Sequence, residues 1–193
     1  MPHHVDTRHV VGEQFATVLA SAQGGDEAAF AVLWRDGNPV LLRYLRAMAP
    51  ESAEDVAAET WVQVVRGLAK FRGDESAWRA WLFTTARRRL LDQARQRRRH
   101  PTEPLENAHP ADMPRTPDSA LLAIENLGTE RALALVRRLP KQQAEVILLR
   151  VVAGLDTEQV ASLIGCTQGA VRVAAHRGLR RLAALLEEAG VTL

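Results

Sequence analysis

Residues 71–100 read FRGDESAWRAWLFTTARRRLLDQARQRRRH, nine arginines against three acids and a local net charge of +6. The residues before this stretch sum to −3, six cations against nine anions, and residues 101–130 to −5, one cation against six anions. Residues 131–193 are basic again, with nine cations and five anions. The formal net charge of +2 therefore conceals two basic modules separated by an acidic spacer. That pattern suits two contacts with one long polyanion.

No proline interrupts residues 76–100, and helix formers dominate them, so the spacing predicts one long helix. At about 100° per residue, Trp78, Leu82, Phe83, Ala86, Leu90 and Ala94 fall on one arc, and Trp81, Thr84, Arg88 and Arg95 on the opposite one. An aromatic ring, a hydroxyl and two guanidinium groups can stack on a base, bond to its edge and neutralise phosphates. The competing reading puts Trp81 in the core and leaves the arginines as a solvated face. Its place opposite the apolar stripe favours nucleic-acid contact.

With 193 residues the chain has room for one or two domains with cores. Hydrophobic content of 47% is globular, and 5% aromatics with abundant alanine, leucine and arginine points to helices. The single cysteine, Cys166, excludes an internal disulfide and a multi-cysteine zinc site, and reads as a small filler rather than a redox switch. No apolar run approaches the length of a bilayer span, and the first ten residues lack a signal-peptide core. The expectation is a soluble cytoplasmic protein without membrane insertion. His3, His4 and His9 lie at a polar terminus and read as a tail rather than a metal site. Scattered histidines and a cysteine with no paired base give no convergent catalytic set, so no catalysis, metal or cofactor is expected.

Residues 13–22 read as a short helix closed by Gly24-Gly25. Asp26 caps a helix over 27–35 with Phe30, Leu33 and Trp34 at core spacing, Gly37-Asn38-Pro39 makes a break, and residues 40–48 resume with Leu41, Leu42 and Leu45 inward. Ser52 and Asp55 form a near capping box for a helix to about Leu68. Val56, Trp61, Val64 and Val65 turn inward there, leaving Asp55, Glu59, Gln63 and Arg66 as a polar stripe that periodicity alone cannot distinguish from solvated surface. Residues 101–130 hold five of the nine prolines and one cation, a linker composition, with 118–127 turning helical. The predicted fold is all-α: two small helical domains, 1–100 and 129–193, joined by a flexible acidic linker, 101–128.

In the second domain, residues 129–139 are helical, and Pro140 opens a helix, KQQAEVILLRVV, that stops at Gly154. Asp156 and Gln159 then make a capping box for a short helix, Thr157–Ile164, Gly165-Cys166 a tight turn, and Thr167 a cap for a last helix reaching about Glu188. This is helix-turn-helix spacing. Val171, Ala175, Gly178 and Leu182 line its packing side, whereas Gly169, Val173, His176, Arg177 and Arg180 face outward with Arg172 beside them. An ordinary helical hairpin is the alternative, and the cations on the exposed side favour DNA.

SAEDVAAETWVQVVRGLAKFRGDESAWRAWLFTTARRRLLDQARQRRR resembles region two of bacterial RNA polymerase sigma factors, and LPKQQAEVILLRVVAGLDTEQVASLIGCTQGAVRVAAHRGLRRL resembles region four. With only a linker between them, the resemblance is to the extracytoplasmic-function class of the sigma-70 family. It implies a promoter-specificity subunit that binds core RNA polymerase and promoter DNA, with an anti-sigma factor as a further partner. It assigns Asp55, Glu59, Thr60, Gln63 and Arg66 to polymerase docking. The loop and helix carrying Arg72, Gly73, Asp74, Ser76, Trp78, Arg79, Trp81, Thr84, Arg87, Arg88 and Arg95 would take the unpaired minus-ten strand. Thr167, Gln168, Gly169, Arg172, Val173, His176, Arg177 and Arg180 would meet the minus-thirty-five element. Val173, Ala174 and Ala175 stand where the family usually has serine, arginine and leucine, which moves readout towards Arg177 and Arg180 or towards DNA shape. An independent helix-turn-helix regulator acting as a homodimer is the competing function.

Overall fold

The computed structural model describes residues 12–99 and 130–188. The expected linker, its helix at 118–127 and the histidine-bearing tail lie outside the described residues, among which every regular element is helical. The amino-terminal half contains α1 (Phe15–Gln23), α2 (Glu27–Met48), α3 (Ala53–Leu68) and α4 (Glu75–Arg99). The carboxy-terminal half contains α5 (residues 130–137), α6 (Lys141–Ile147), α7 (Thr157–Ile164) and α8 (Gln168–Glu188).

Helix α2 runs straight through Gly37-Asn38-Pro39, where a break was expected. Pro39 cannot donate to the preceding turn, yet tertiary contacts hold the segment helical. Asn38 Oδ1 accepts from Trp61 Nε1 at 2.9 Å. A Cβ on Gly37 would stand 3.1 Å from Leu82 and 3.3 Å from Trp61, so the chain passes close beneath both side chains. Continuity also fixes the phase: Ala29, Leu33, Gly37, Leu41, Tyr44 and Leu45 form the buried stripe, and Trp34, expected inward, is exposed.

The start of α3 differs from the expected capping box. Residues Pro50–Ser52 form a 3-10 turn, and Ser52 makes no side-chain cap. Along α3 the buried positions are Ala53, Val56, Ala57, Thr60, Trp61, Val64 and Leu68, while Val65, expected inward, is exposed beside Val62. Helix α4 packs Trp78, Leu82, Phe83, Ala86 and Leu90 against α2 and α3. The predicted apolar arc is thus the packing face, although Ala94 near its far end is exposed.

In the second half, α6 passes into a π-helical turn, Leu148–Val152, closed by Ala153 N donating to Leu148 O at 2.9 Å. Asp156 and Gln159 form the reciprocal capping box, at 2.8 Å and 3.0 Å, and Gly165 closes α7 at φ +79°. The left-handed region favours glycine at that turn. Thr167 Oγ1 accepts from Ala170 N at 3.2 Å at the start of α8. Gly178 lets α8 cross α6 closely, since a Cβ there would lie 2.6 Å from Ile147 Cδ1.

The two halves touch. Helix α2 packs against α6 and the π turn, and α4 against α7.

Candidate nucleic-acid interface

The turn between α3 and α4 is anchored before it presents anything to solvent. Gln23 Nε2 donates to Leu68 O and Phe71 O, at 2.9 and 2.8 Å. Asp74 Oδ1 accepts from Ala77 N at 2.8 Å, so this acid caps α4 and does structural service in the loop. Gly73 has φ +152°, and a Cβ there would lie 2.7 Å from Ala77 Cβ. Arg72 is exposed, with Nη1 donating to Ala69 O and Phe71 O.

Of the two tryptophans of α4, Trp78 keeps the packing arc that its spacing predicts, and Trp81 departs from the outer face drawn from periodicity. Trp78 is 3% exposed and belongs to the core. Trp81 is half-buried: its ring stacks on Phe71 at 5.1 Å and 23° and covers Gly67, whose added Cβ would fall 2.7 Å from Trp81 Cζ2. An arc opposite the apolar stripe does not mean free, because the α3–α4 turn folds back over it. Trp81 is thus packed against the core on part of its surface and is neither sealed nor fully presented. Thr84 spends its hydroxyl on Ala80 O at 2.7 Å. Arg88 and Arg95 point outward as expected, and Arg95 makes only an exposed 3.3 Å ion pair with Asp92.

Three residues that the resemblance assigns to the minus-ten strand, on the side of α4 turned away from Arg88, meet the other half of the chain. Arg87 Nε donates to Glu145 Oε1 at 2.8 Å. Ser76 Oγ accepts from Gln159 Nε2 at 2.8 Å. Arg79, paired with Glu75 at 2.7 Å, lies beside Gly154, where a Cβ would stand 3.1 Å from Arg79 Nη1. Tyr44 Oη also donates to Glu145 Oε1, at 3.2 Å. Burial raises the Tyr44 hydroxyl well above its usual range, helped by the charge of Glu145 and the hydrogen bond to it and opposed by Arg87. Sequence reading missed Tyr44 and Glu145. The available signal was an acid inside the apolar run AEVILL, where Ala144, Val146, Ile147, Leu148 and Leu149 are all buried.

On α3, Asp55, Glu59 and Arg66 are exposed and Gln63 is half-exposed, as the stripe implied. Thr60 is different: it is fully buried, and its hydroxyl donates to Val56 O at 2.6 Å. Val62 and Val65 add apolar surface between the polar groups, at 48% and 54% exposure. Glu59, Val62 and Gln63 also border a cleft of about 390 Å3 with Arg89, Asp92 and Gln96 of α4.

On α8, Gln168, Gly169, Arg172, Val173, His176, Arg177 and Arg180 are all exposed, with Thr167 just before them, while Val171 and Gly178 are buried against α6 and α7. Arg172 makes one local contact, Nη2 to Gln168 Oε1 at 3.3 Å. A capped helix with a cationic outer face and a glycine-turn partner has the shape that enters a major groove.

The family model described as Sigma-70 region 2 matches residues 33–100, and that described as Sigma-70, region 4 matches residues 129–182. The ECF RNA polymerase sigma factor SigD of Mycobacterium tuberculosis (strain ATCC 25618 / H37Rv) is 35% identical over 180 residues, covering 89% of this chain and 83% of the relative. The chain belongs to the extracytoplasmic-function class of sigma-70 factors. The ECF RNA polymerase sigma factor ShbA of Streptomyces griseus is 36% identical over 176 residues, covering 85% of this chain and 91% of the relative. The solved sigma factor RpoE, in complex with the anti-sigma factor NepR from Bartonella quintana, shares the fold with a TM-score of 0.59 at 22% identity, over 82% of this chain and 96% of that one. The protein is accordingly an RNA polymerase sigma factor, a factor of transcription initiation acting with core polymerase at promoter DNA. The region-two match takes in α2 from Leu33 onward, α3 and α4, and the region-four match takes in α5 to α7 and α8 as far as Leu182.

Proposed function

We propose that this sigma factor divides its work among three surfaces. Residues 1–100 form the region-two domain, 101–128 the linker and 129–193 the region-four domain. The outer face of α3, with Asp55, Glu59, Gln63 and Arg66 around Val62 and Val65, docks on core polymerase. Thr60 supports that face from inside the bundle. The α3–α4 turn and α4 take the minus-ten strand: Arg72 at the turn, Ser76 at the start of α4, Arg88 and Arg95 on phosphates from the outer face, Arg79 and Arg87 on phosphates from the flank, and the half-buried Trp81 against a base. Gly73, Asp74, Trp78 and Thr84 shape this surface rather than touch DNA. Helix α8 enters the major groove of the minus-thirty-five element, with Arg172, His176, Arg177 and Arg180 outermost and Thr167, Gln168 and Gly169 near the backbone at its start. Val173, exposed at 49%, offers an apolar contact to a thymine methyl.

The observation that carries this reading is the order of two basic helical faces on a chain matching both sigma regions. The protein works without catalysis of its own, in the cytoplasm, where the polymerase is. No described helix is long and apolar enough to cross a membrane. An anti-sigma factor is a further partner, as it is for the Bartonella quintana relative.

Reconstitution with core polymerase separates the surfaces. Asp55→Ala with Glu59→Ala is expected to weaken core binding while the isolated chain keeps its helicity. Arg88→Ala with Arg95→Ala is expected to leave core binding intact and lower promoter opening. A loss of helicity in the first pair would return those residues to a structural role.

A further inference from the structure

Two of the groups assigned to the minus-ten strand, Arg72 and Trp81, hang on one residue, Phe71. Its ring stacks on Trp81 at 5.1 Å and meets Trp78 edge-on at 5.5 Å. Arg72 follows it in the chain and donates from Nη1 back to Phe71 O at 2.6 Å. Whatever holds Phe71 therefore holds both groups. Its carbonyl is gripped by Gln23, the last residue of α1, 48 positions earlier in the sequence. We propose that Gln23 is a positioning residue for minus-ten recognition, setting through Phe71 where Trp81 and Arg72 stand when the strand arrives. The proposal rests on the assignment of the α3–α4 turn to that strand.

The contact has two points. A glutamine amide carries two donor hydrogens on one nitrogen, and Gln23 Nε2 donates to Leu68 O at 2.9 Å and to Phe71 O at 2.8 Å. Leu68 is the last residue of α3, so its carbonyl is among those a helix leaves open at its end. One amide thus ties that helix end to the turn beyond it. The amide itself has a fixed base. Phe15, Leu19 and Ala22 bury α1 against α2, and Phe15 also meets Trp78 at 6.3 Å. Helix α1 therefore braces the aromatic group from one end and the turn from the other. The turn needs that support, because Arg72 and Gly73 are exposed and Gly73, at φ +152°, is a residue of wide conformational freedom. Groups that bind a ligand must be held to within about 0.5 Å, by packing and hydrogen bonds from behind them. Gln23 lies before the segment matched as region two, residues 33–100, and belongs to none of the three surfaces assigned above. It acts only through the turn.

Donors, not bulk, are what the two carbonyls require. Gln23→Glu keeps the shape but sets a carboxylate against two carbonyl oxygens at the negative end of the α3 dipole. Gln23→Met keeps the length and removes the donors. Gln23→Lys supplies three donors and a charge suited to a helix C-terminus.

The test uses the full chain with core polymerase on a genomic promoter fragment. It reads permanganate reactivity of the minus-ten thymines, affinity for core polymerase, and thermal unfolding of the free factor by circular dichroism. Gln23→Met is expected to lower the yield of open promoter about fivefold, the worth of about one net hydrogen bond, while core affinity changes less than about twofold. Gln23→Glu is expected to lower it further, and Gln23→Lys to bring it back to within about twofold of wild type. Because Gln23 acts through Phe71 on Trp81, Gln23→Met is expected to add little to Trp81→Ala in the double variant. Unfolding of Gln23→Glu leaves the test intact, since the comparison of Gln23→Met with Gln23→Lys decides it. Wild-type opening by Gln23→Met, where Trp81→Ala fails, overturns the proposal. So does an effect that adds in full to Trp81→Ala, or a loss of core affinity equal to the loss of opening, either of which makes Gln23 a structural residue only. Opening by Gln23→Lys no better than by Gln23→Met overturns the donor requirement. Wild-type opening by both Trp81→Ala and Arg72→Ala shows instead that the minus-ten assignment is wrong, and the proposal falls with it.

Discussion

Glu59 and Thr60 are neighbours on α3, one exposed and one fully buried. Replacing Thr60 by valine removes the hydroxyl that donates to Val56 O and is expected to cost about 0.5–1.5 kcal/mol of stability. Affinity for core polymerase should stay within about twofold, within ordinary scatter for a residue making no contact. Glu59→Ala should reverse the pattern, with near-unchanged stability and weakened binding; titrating core polymerase with labelled protein checks both. At this scale the sequence was readable wherever helical phase alone decides exposure. It misled where a neighbouring segment covers the outer arc, as the α3–α4 turn does over Trp81, and where a motif residue lies on the buried stripe, as Thr60 does. Glu145 shows a third limit, because its partners Tyr44 and Arg87 are 101 and 58 residues away in sequence.

Among the elements, the helix-turn-helix of region four was the most legible, because its boundaries are written in local chemistry. Asp156, Gln159 and Gly165 each satisfy backbone groups within a turn of themselves. Asp156→Ala is expected to cost about 1 kcal/mol and to lower the melting temperature of region four by about 4 °C, read by far-UV circular dichroism on the full chain. No shift would mean that α7 is held by tertiary packing alone. Helix α2 behaved in the opposite way. Gly37-Asn38-Pro39 has every local mark of a break, and the helix persists because Trp61 binds Asn38 and packs with Leu82 over Gly37. Packing from distant segments outweighed local propensity, which is a weak prior. The capping signal at Ser52 likewise gave way to a 3-10 turn over Pro50–Ser52.

For the whole molecule, the alternation of basic, acidic and basic segments was visible in composition, and the two sigma regions follow it. The docking of one on the other was not visible, since net charge carries no information about which arginine meets which acid. If Arg88 and Arg95 each contact a phosphate, replacing both by alanine should flatten the dependence of log affinity on log salt by about one unit per lost contact, measured with the polymerase-bound factor on forked promoter DNA. An unchanged slope would remove that face from the DNA. The central claim is that one chain, bound to core polymerase, grips two separated promoter elements and opens the one nearer the start site. Its most direct measurement is footprinting of the polymerase–sigma complex on a genomic promoter, combining permanganate reactivity with nuclease protection. The account predicts reactive, unpaired thymines at the minus-ten element together with protection at the minus-thirty-five element in the same complex. Duplex protection without any unpaired thymine, or protection that forms equally well without core polymerase, would contradict it.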